Sequence, residues 1–151
     1  MKLSENFTLQ EMTQSQVALK NNIDNTPSAE QIINLKELCK NILQPLRDDF
    51  QLPIKITSGF RSPELCKKIG SNPDKSQHCA NNHSAAADFE IPGVDNKKVF
   101  KHIIQNLPFC QVILEYYDES DINSGWIHCS WSANPRGQAL TKDKQGYELW
   151  Q

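Results

Sequence analysis

The sequence predicts an α+β fold: a small, mainly antiparallel sheet flanked by helices. Helical and strand-like stretches are mixed without strict alternation, which disfavours a repeated βαβ unit. The chain has 151 residues, 38% of them hydrophobic. That is enough to close one core and short for two, so residues 1–151 are read as one domain.

The first element is a helix from Leu9 to about Asn21, led by Thr8 as its cap. Thr26-Pro27 then sets a capping residue before a proline at the first helical position, a start signal. Ile32, Leu35, Leu38, Cys39, Ile42, Leu46 and Phe50 follow at helical spacing, so one long amphipathic helix should run from Pro27 to about Phe50. Pro45 lies inside it and should kink it or end it early. Ile54 to Thr57 reads as a strand, and Gly59 ends it. Ser62-Pro63-Glu64 starts a shorter helix that stops at Gly70. Ser71 to Ser84 is polar and aperiodic, a long loop of the kind that often carries function. Ala85 to Ile91 reads as a strand, and Val99, Phe100, Ile103, Ile104 and Leu107 stripe a third helix opened by Asp95. Gln111 to Tyr116 and Trp126 to Trp131 read as two further strands, joined by the acidic loop Tyr117 to Gly125.

Charge and composition exclude several functions. Sixteen Lys and Arg against 18 Asp and Glu leave a net charge of -2, so no nucleic-acid partner is expected. No apolar run approaches the roughly 20 residues of a membrane span. Met1-Lys2-Leu3-Ser4-Glu5-Asn6 turns polar at once, so the chain is expected to be made in the cytoplasm without a signal peptide. Cys39, Cys66, Cys79, Cys110 and Cys129 are odd in number and form no C-x-x-C pair, which reads as reduced thiols rather than a zinc knuckle.

Four histidines are few enough to weigh singly. His102 sits beside Lys101 on the third helix and reads as a solvated surface residue. His78 and His83 lie in the polar loop, and His128 stands in a strand of large residues. Asp88, flanked by Ala87 and Phe89 in a strand, is hard to explain at a surface, and a buried carboxylate is costly unless paired or ligated. Two histidines and an aspartate would make an open three-ligand zinc site with room for water, which suits amide hydrolysis. Spacing alone favours the plainer reading, a satisfied buried aspartate with unrelated loop histidines, because no short-range H-E-x-x-H type motif is present.

Four separated motifs narrow the choice. Ile56-Thr57-Ser58-Gly59-Phe60-Arg61-Ser62-Pro63-Glu64-Leu65, then Ser76-Gln77-His78, Ala86-Ala87-Asp88 and Trp126-Ile127-His128-Cys129-Ser130 resemble the zinc D-Ala-D-Ala carboxypeptidase family. That family includes phage endolysins that cut peptidoglycan stem peptides and shares its fold with the Hedgehog signalling domain. Phe7 to Met12, Ile23 to Pro27 and Leu43 to Arg47 resemble the N-terminal helices of its small members. The resemblance implies a bound Zn2+ held by His78, Asp88 and His128, with Ser76 bracing the loop. It also implies that Arg61 holds a substrate carboxylate or steadies an oxyanion, a task suited to a rigid fork of donors.

Two departures bear on the site. His78 and Asp88 stand ten positions apart, a longer loop than the family usually has, and this makes His83 a rival ligand. His78 is preferred because Ser76-Gln77 precedes it, leaving His83 as a residue near the substrate. Several branches carry an acidic residue three positions before the last histidine, where this chain has Gly125. Closer branches carry a glutamate ending the preceding strand, which implies Glu115 as general base. Cys129 should point into packing, and Trp126 and Trp131 should be core or cleft wall. The function implied is a zinc metallopeptidase acting as a monomer on peptidoglycan stem peptides, at the cell wall, in the periplasm or in the virion. The alternative is a catalytically silent peptidoglycan-binding or virion-attachment module of the same fold.

Overall fold

The computed structural model describes residues Met1–Gln151. The chain opens with a hairpin of β1 (Lys2–Ser4) and β2 (Phe7–Thr8), which delivers Leu3 and Phe7 into the core. The single helix expected from Leu9 to Asn21 is corrected to two, α1 (Leu9–Thr13) and α2 (Gln16–Lys20). Gln14 is extended between them, and Thr8 and Ser15 each cap a start by accepting from the backbone N–H three residues on. Capping chemistry outweighs the continuous helical pattern here, because Ser15 satisfies a second helix start.

The long helix is present, with its cap at Ser28 rather than Thr26. Ser28 and Gln31 form a reciprocal capping box at the start of α3 (Ala29–Leu38). Pro45 does not end the helix early. The turn before it, Cys39–Leu43, widens to π-helical geometry, and α4 (Gln44–Phe50) continues to a left-handed stop at Gln51. A wider turn moves the preceding carbonyls away from the proline ring and needs no N–H from it. Leu35, Leu38, Ile42, Leu43 and Leu46 are all fully buried along this helix.

The main sheet contains β3 (Lys55–Ser58), β4 (Ser84–Glu90), β5 (Gln111–Glu115), β6 (Trp126–Ser132), β7 (Gln138–Asp143) and β8 (Gly146–Leu149). Its order is β3-β4-β6-β5-β7-β8, and every neighbouring pair is antiparallel except β5 with β7. The predicted α+β class with a mainly antiparallel sheet is therefore the one observed. β7 and β8 were not anticipated, although Gln138 to Leu149 alternates around a Gln145-Gly146 turn, a hairpin signal.

One face of the sheet packs on the helices. Ala85, Ala87 and Phe89 of β4, Val112 and Leu114 of β5, and Ile127 and Cys129 of β6 join one buried cluster with the long helix and with Val99, Phe100 and Ile103 of α6 (Asn96–Asn106). Because strand side chains alternate, the intervening residues must point to the other face. Asp88 pairs in register with His128, and His128 with Ile113. The small side chains of Ala85 and Ala87 let α3 approach β4 closely, and Asp88, between the core-facing Ala87 and Phe89, is fixed by packing on its reverse side.

Asn25 ties the N-terminal segment to the opposite wall of the site. Its Nδ2 donates to the carbonyls of Thr13 and Phe60 at 2.9 and 3.0 Å, and its Oδ1 accepts from the Ser62 N–H at 2.7 Å. Asn25→Ala should destabilise the protein by about 2–3 kcal/mol, since three partners are orphaned at a partly buried site. Thermal denaturation measures this, and an unchanged midpoint contradicts the role.

Candidate active site

The segment after β3 is built to carry Arg61. Ser58 Oγ accepts from Arg61 Nε at 3.1 Å, and the Arg61 backbone N–H donates to the His78 carbonyl at 2.9 Å. Gly59 is required here because a Cβ would lie 2.3 Å from the Met12 carbonyl oxygen. Phe60 is buried, and Ser62 caps α5 (Pro63–Lys68) by accepting from the Leu65 N–H, with Pro63 at the first helical position. Every residue from Ser58 to Pro63 therefore has a structural task that ends in placing one guanidinium.

Within the long loop, Gln77–Cys79 forms a 3-10 turn capped by Ser76, whose Oγ accepts from the His78 N–H. The turn buries His78, and His78 Nδ1 lies 2.7 Å from the Gly59 carbonyl oxygen. A carbonyl can only accept, so Nδ1 carries the proton and Nε2 is the bare nitrogen of the neutral ring. Nε2 faces Asp88 Oδ1 at 3.4 Å. His128 Nδ1 lies 2.9 Å from the same oxygen, and Arg61 Nη2 is 3.5 Å from Asp88 Oδ2. The donor atoms of His78, Asp88 and His128 all lie within 4.8 Å of one another.

Electrostatics fits this trio to a cation. Burial pushes the His78 imidazole below its ordinary range, against the pull of Asp88. Burial alone would raise Asp88, but the hydrogen bond from His128 and the field of the two neighbouring imidazoles outweigh it and hold the carboxyl far below the usual carboxylate range. A neutral imidazole nitrogen and a carboxylate oxygen thus face each other as two acceptors, which a positive ion between them relieves. Two imidazoles and one carboxylate, with Nδ1 of the first histidine held by a backbone carbonyl, are the ligand and supporting-shell pattern of an open zinc site. The residues present fit the ion.

The cleft over these groups encloses about 480 Å³, and its floor includes Gln111, Ile113 and Glu115 along one face of β5. Glu115 Oε2 accepts from Trp126 Nε1 at 2.9 Å, and Lys142 Nζ lies 3.9 Å from Oε1. Burial, followed by the negative charge of Asp88, raises the Glu115 pKa against the pull of His128, Lys142 and Trp126. Gly125 has φ +68°, and a Cβ there would meet the Glu115 carbonyl oxygen at 2.2 Å. No acidic side chain can stand at that position, so the carboxylate beside the site comes from β5.

A family model for peptidase M15 matches residues 5–130. The chain belongs to the peptidase M15 family. This is the zinc D-Ala-D-Ala carboxypeptidase family that the motifs resemble. No curated protein matches the chain. The matched M15 segment spans the residues just described and ends within β6, before β7 and β8.

The fold thus brings His78, Asp88, His128, Arg61, Ser76 and Glu115 to one cleft. It does not bring His83. That residue is exposed, with φ +54°, at the end of the loop, and its carbonyl accepts from the Ala133 N–H outside the cleft. The longer loop is spent on a surface excursion. His102 lies elsewhere and pairs with Asp49 at 2.8 Å. All five cysteines are free and buried, Cys129 on the core face as expected, and Cys66 Sγ lies 3.1 Å from Cys79 Sγ beneath the loop. Sequence reasoning missed Lys75, Arg136, Lys142 and Tyr147 in the cleft wall. The last three belong to a hairpin and its approach, which alternation could have revealed.

Proposed function

We propose that this M15 chain is a zinc peptidase that hydrolyses peptide bonds in peptidoglycan stem peptides, as a D-Ala-D-Ala carboxypeptidase or an L-Ala-D-Glu endopeptidase. The observation that carries the reading is the convergence of His78, Asp88 and His128 on the floor of a cleft that also holds a buried carboxylate, Glu115. His78 Nε2, Asp88 Oδ1 and His128 Nδ1 would hold the ion. When bound, zinc supplies Lewis-acid polarisation of the peptide carbonyl and a nucleophilic water available near neutral pH. Glu115 takes a proton from the attacking water and returns it to the leaving amine nitrogen. Its raised pKa suits both halves of that task, because a stronger base is also formed. Arg61 is held by Ser58 and Asp88 with its guanidinium at the cleft, where it anchors a substrate carboxylate or the oxyanion. Such a substrate puts the site of action at the bacterial cell wall.

The test is elemental analysis of the purified full chain together with digestion of peptidoglycan fragments. One equivalent of zinc and release of stem-peptide products are expected; absence of both overturns the proposal. Zinc retention should also depend on pH, because protons compete with metal for all three ligands. Burial lowers the His78 pKa, so that imidazole stays neutral further into acid than a free one. Occupancy after dialysis should therefore hold at pH 7 and fall below about pH 5. Full retention at about pH 3 would contradict the ligand set.

A further inference from the structure

The cleft is cationic although the chain is not. Arg61, Lys75, Arg136 and Lys142 line it against only Asp88 and Glu115, while the whole protein carries a net charge of -2. Two of the four are already engaged: Arg61 with Asp88, and Lys142 with Glu115. No carboxylate of the chain pairs with Arg136 or Lys75.

Arg136 stands out by its placement. It sits in the short Ala133–Gly137 crossing from β6 to β7, between Pro135 and Gly137, whose φ is +62°. The crossing is pinned where Gln138 donates its N–H to the Cys110 carbonyl and Gln111 Nε2 donates to Gln138 Oε1 at 2.7 Å. Burial would push the Cys110 thiol up, but the adjoining Arg136 guanidinium and Gln77 amide pull it below its ordinary range. The alternating residues Gln111, Ile113 and Glu115 give the cleft a direction along β5. Ile113 is in register with His128, so the Gln111 end lies two strand residues, about 7 Å, from the His128 row.

We propose that Arg136, from the segment beyond the M15 match, is a specificity-determining residue that receives a substrate carboxylate one or two residues from the scissile bond. An extended peptide laid along β5 with its reacting carbonyl over the His78–Asp88–His128 trio reaches Arg136 within that length. A guanidinium binds a carboxylate through two parallel hydrogen bonds and a carboxamide through weaker ones, so it separates the two chemically similar groups. The preferred substrate is then an acidic peptide. Lys142, in register with Glu115, marks the other end of the cleft and packs its ammonium 5.0 Å from the Tyr147 ring centre. The inference rests on the peptidase reading for where the bond is cut, but the carboxylate preference is a property of binding and is read separately.

The experiment uses the full-length zinc-loaded protein and synthetic stem-type pentapeptides carrying, at each position in turn, a free carboxylate or its carboxamide. At one position the parent should favour the carboxylate about tenfold in kcat/KM, chiefly through KM. Arg136→Gln should lose that preference, with zinc content and melting temperature as in the parent, and Arg136→Lys should recover part of it. Titration calorimetry with the same peptide pairs reads the preference without turnover. If nothing is cut yet the acid binds about tenfold tighter through Arg136, the wall stands and the peptidase reading falls. If peptides are cut and Arg136→Gln keeps the full preference, or the parent shows none, the role of Arg136 is overturned.

Discussion

His128→Ala is expected to strip the protein of zinc and to lower peptide cleavage by more than about a thousandfold in kcat/KM. The structural reason is local. His128 Nδ1 lies 2.9 Å from Asp88 Oδ1, and its neighbours Ile127 and Cys129 point into the core. Removing the imidazole therefore deletes one of the three proposed ligands without opening a core cavity, and β6 keeps its pairing with β4 and β5 on either side. The melting temperature of the metal-free protein should move little, which separates loss of the ion from loss of the fold. Elemental analysis decides the point. A variant that keeps one equivalent of zinc shows that other groups hold the metal, and the assignment of this trio fails with it.

Glu115→Gln should keep zinc and substrate binding and lose turnover by about a hundredfold to ten-thousandfold in kcat. Glutamine preserves the shape of the side chain and can still accept from Trp126 Nε1, now at 2.9 Å from the carboxylate. What it cannot do is take a proton. Burial and the charge of Asp88 raise the Glu115 pKa. The carboxylate therefore forms only at a pH above that of an ordinary glutamate, about 4.3. Activity of the parent should rise through that limb as pH increases, and the limb should be missing from whatever activity the variant retains. A variant as active as the parent removes Glu115 from the chemistry. A parent that binds zinc and peptidoglycan but cuts nothing supports the silent binding module instead. The variant is informative because Gly125 leaves no room for a substitute acid: a Cβ there would already collide with the Glu115 carbonyl.

Much of the site was legible because its residues obey local rules. The capping serine and proline of α5, the glycine before Phe60 and the strand alternation around Asp88 and His128 each leave a mark in the sequence. The choice between His78 and His83 could be argued from Ser76-Gln77 but not proved. Both histidines lie in the same polar loop, and no periodicity tells which one a 3-10 turn will bury. The response to Pro45 was also hidden, since a proline tolerated by a π turn looks the same as one that breaks a helix. The β7–β8 hairpin went unread although its alternation was present, and with it went the basic wall of the cleft.

By itself the sequence determined the types of the central elements from the long helix to β6, the core-facing stripe of each and the identity of the ligand candidates. These follow from side-chain size, polarity and spacing along a backbone with few allowed conformations. Only the tertiary structure decided which atoms meet. It set Asp88 opposite His128 by register, turned His78 Nε2 toward them by giving Nδ1 a carbonyl partner, and added Lys142 beside Glu115 from a strand far along the chain. Such meetings depend on how strands pair and loops close, and pairing is settled by the burial of the whole sheet rather than by any short stretch of residues.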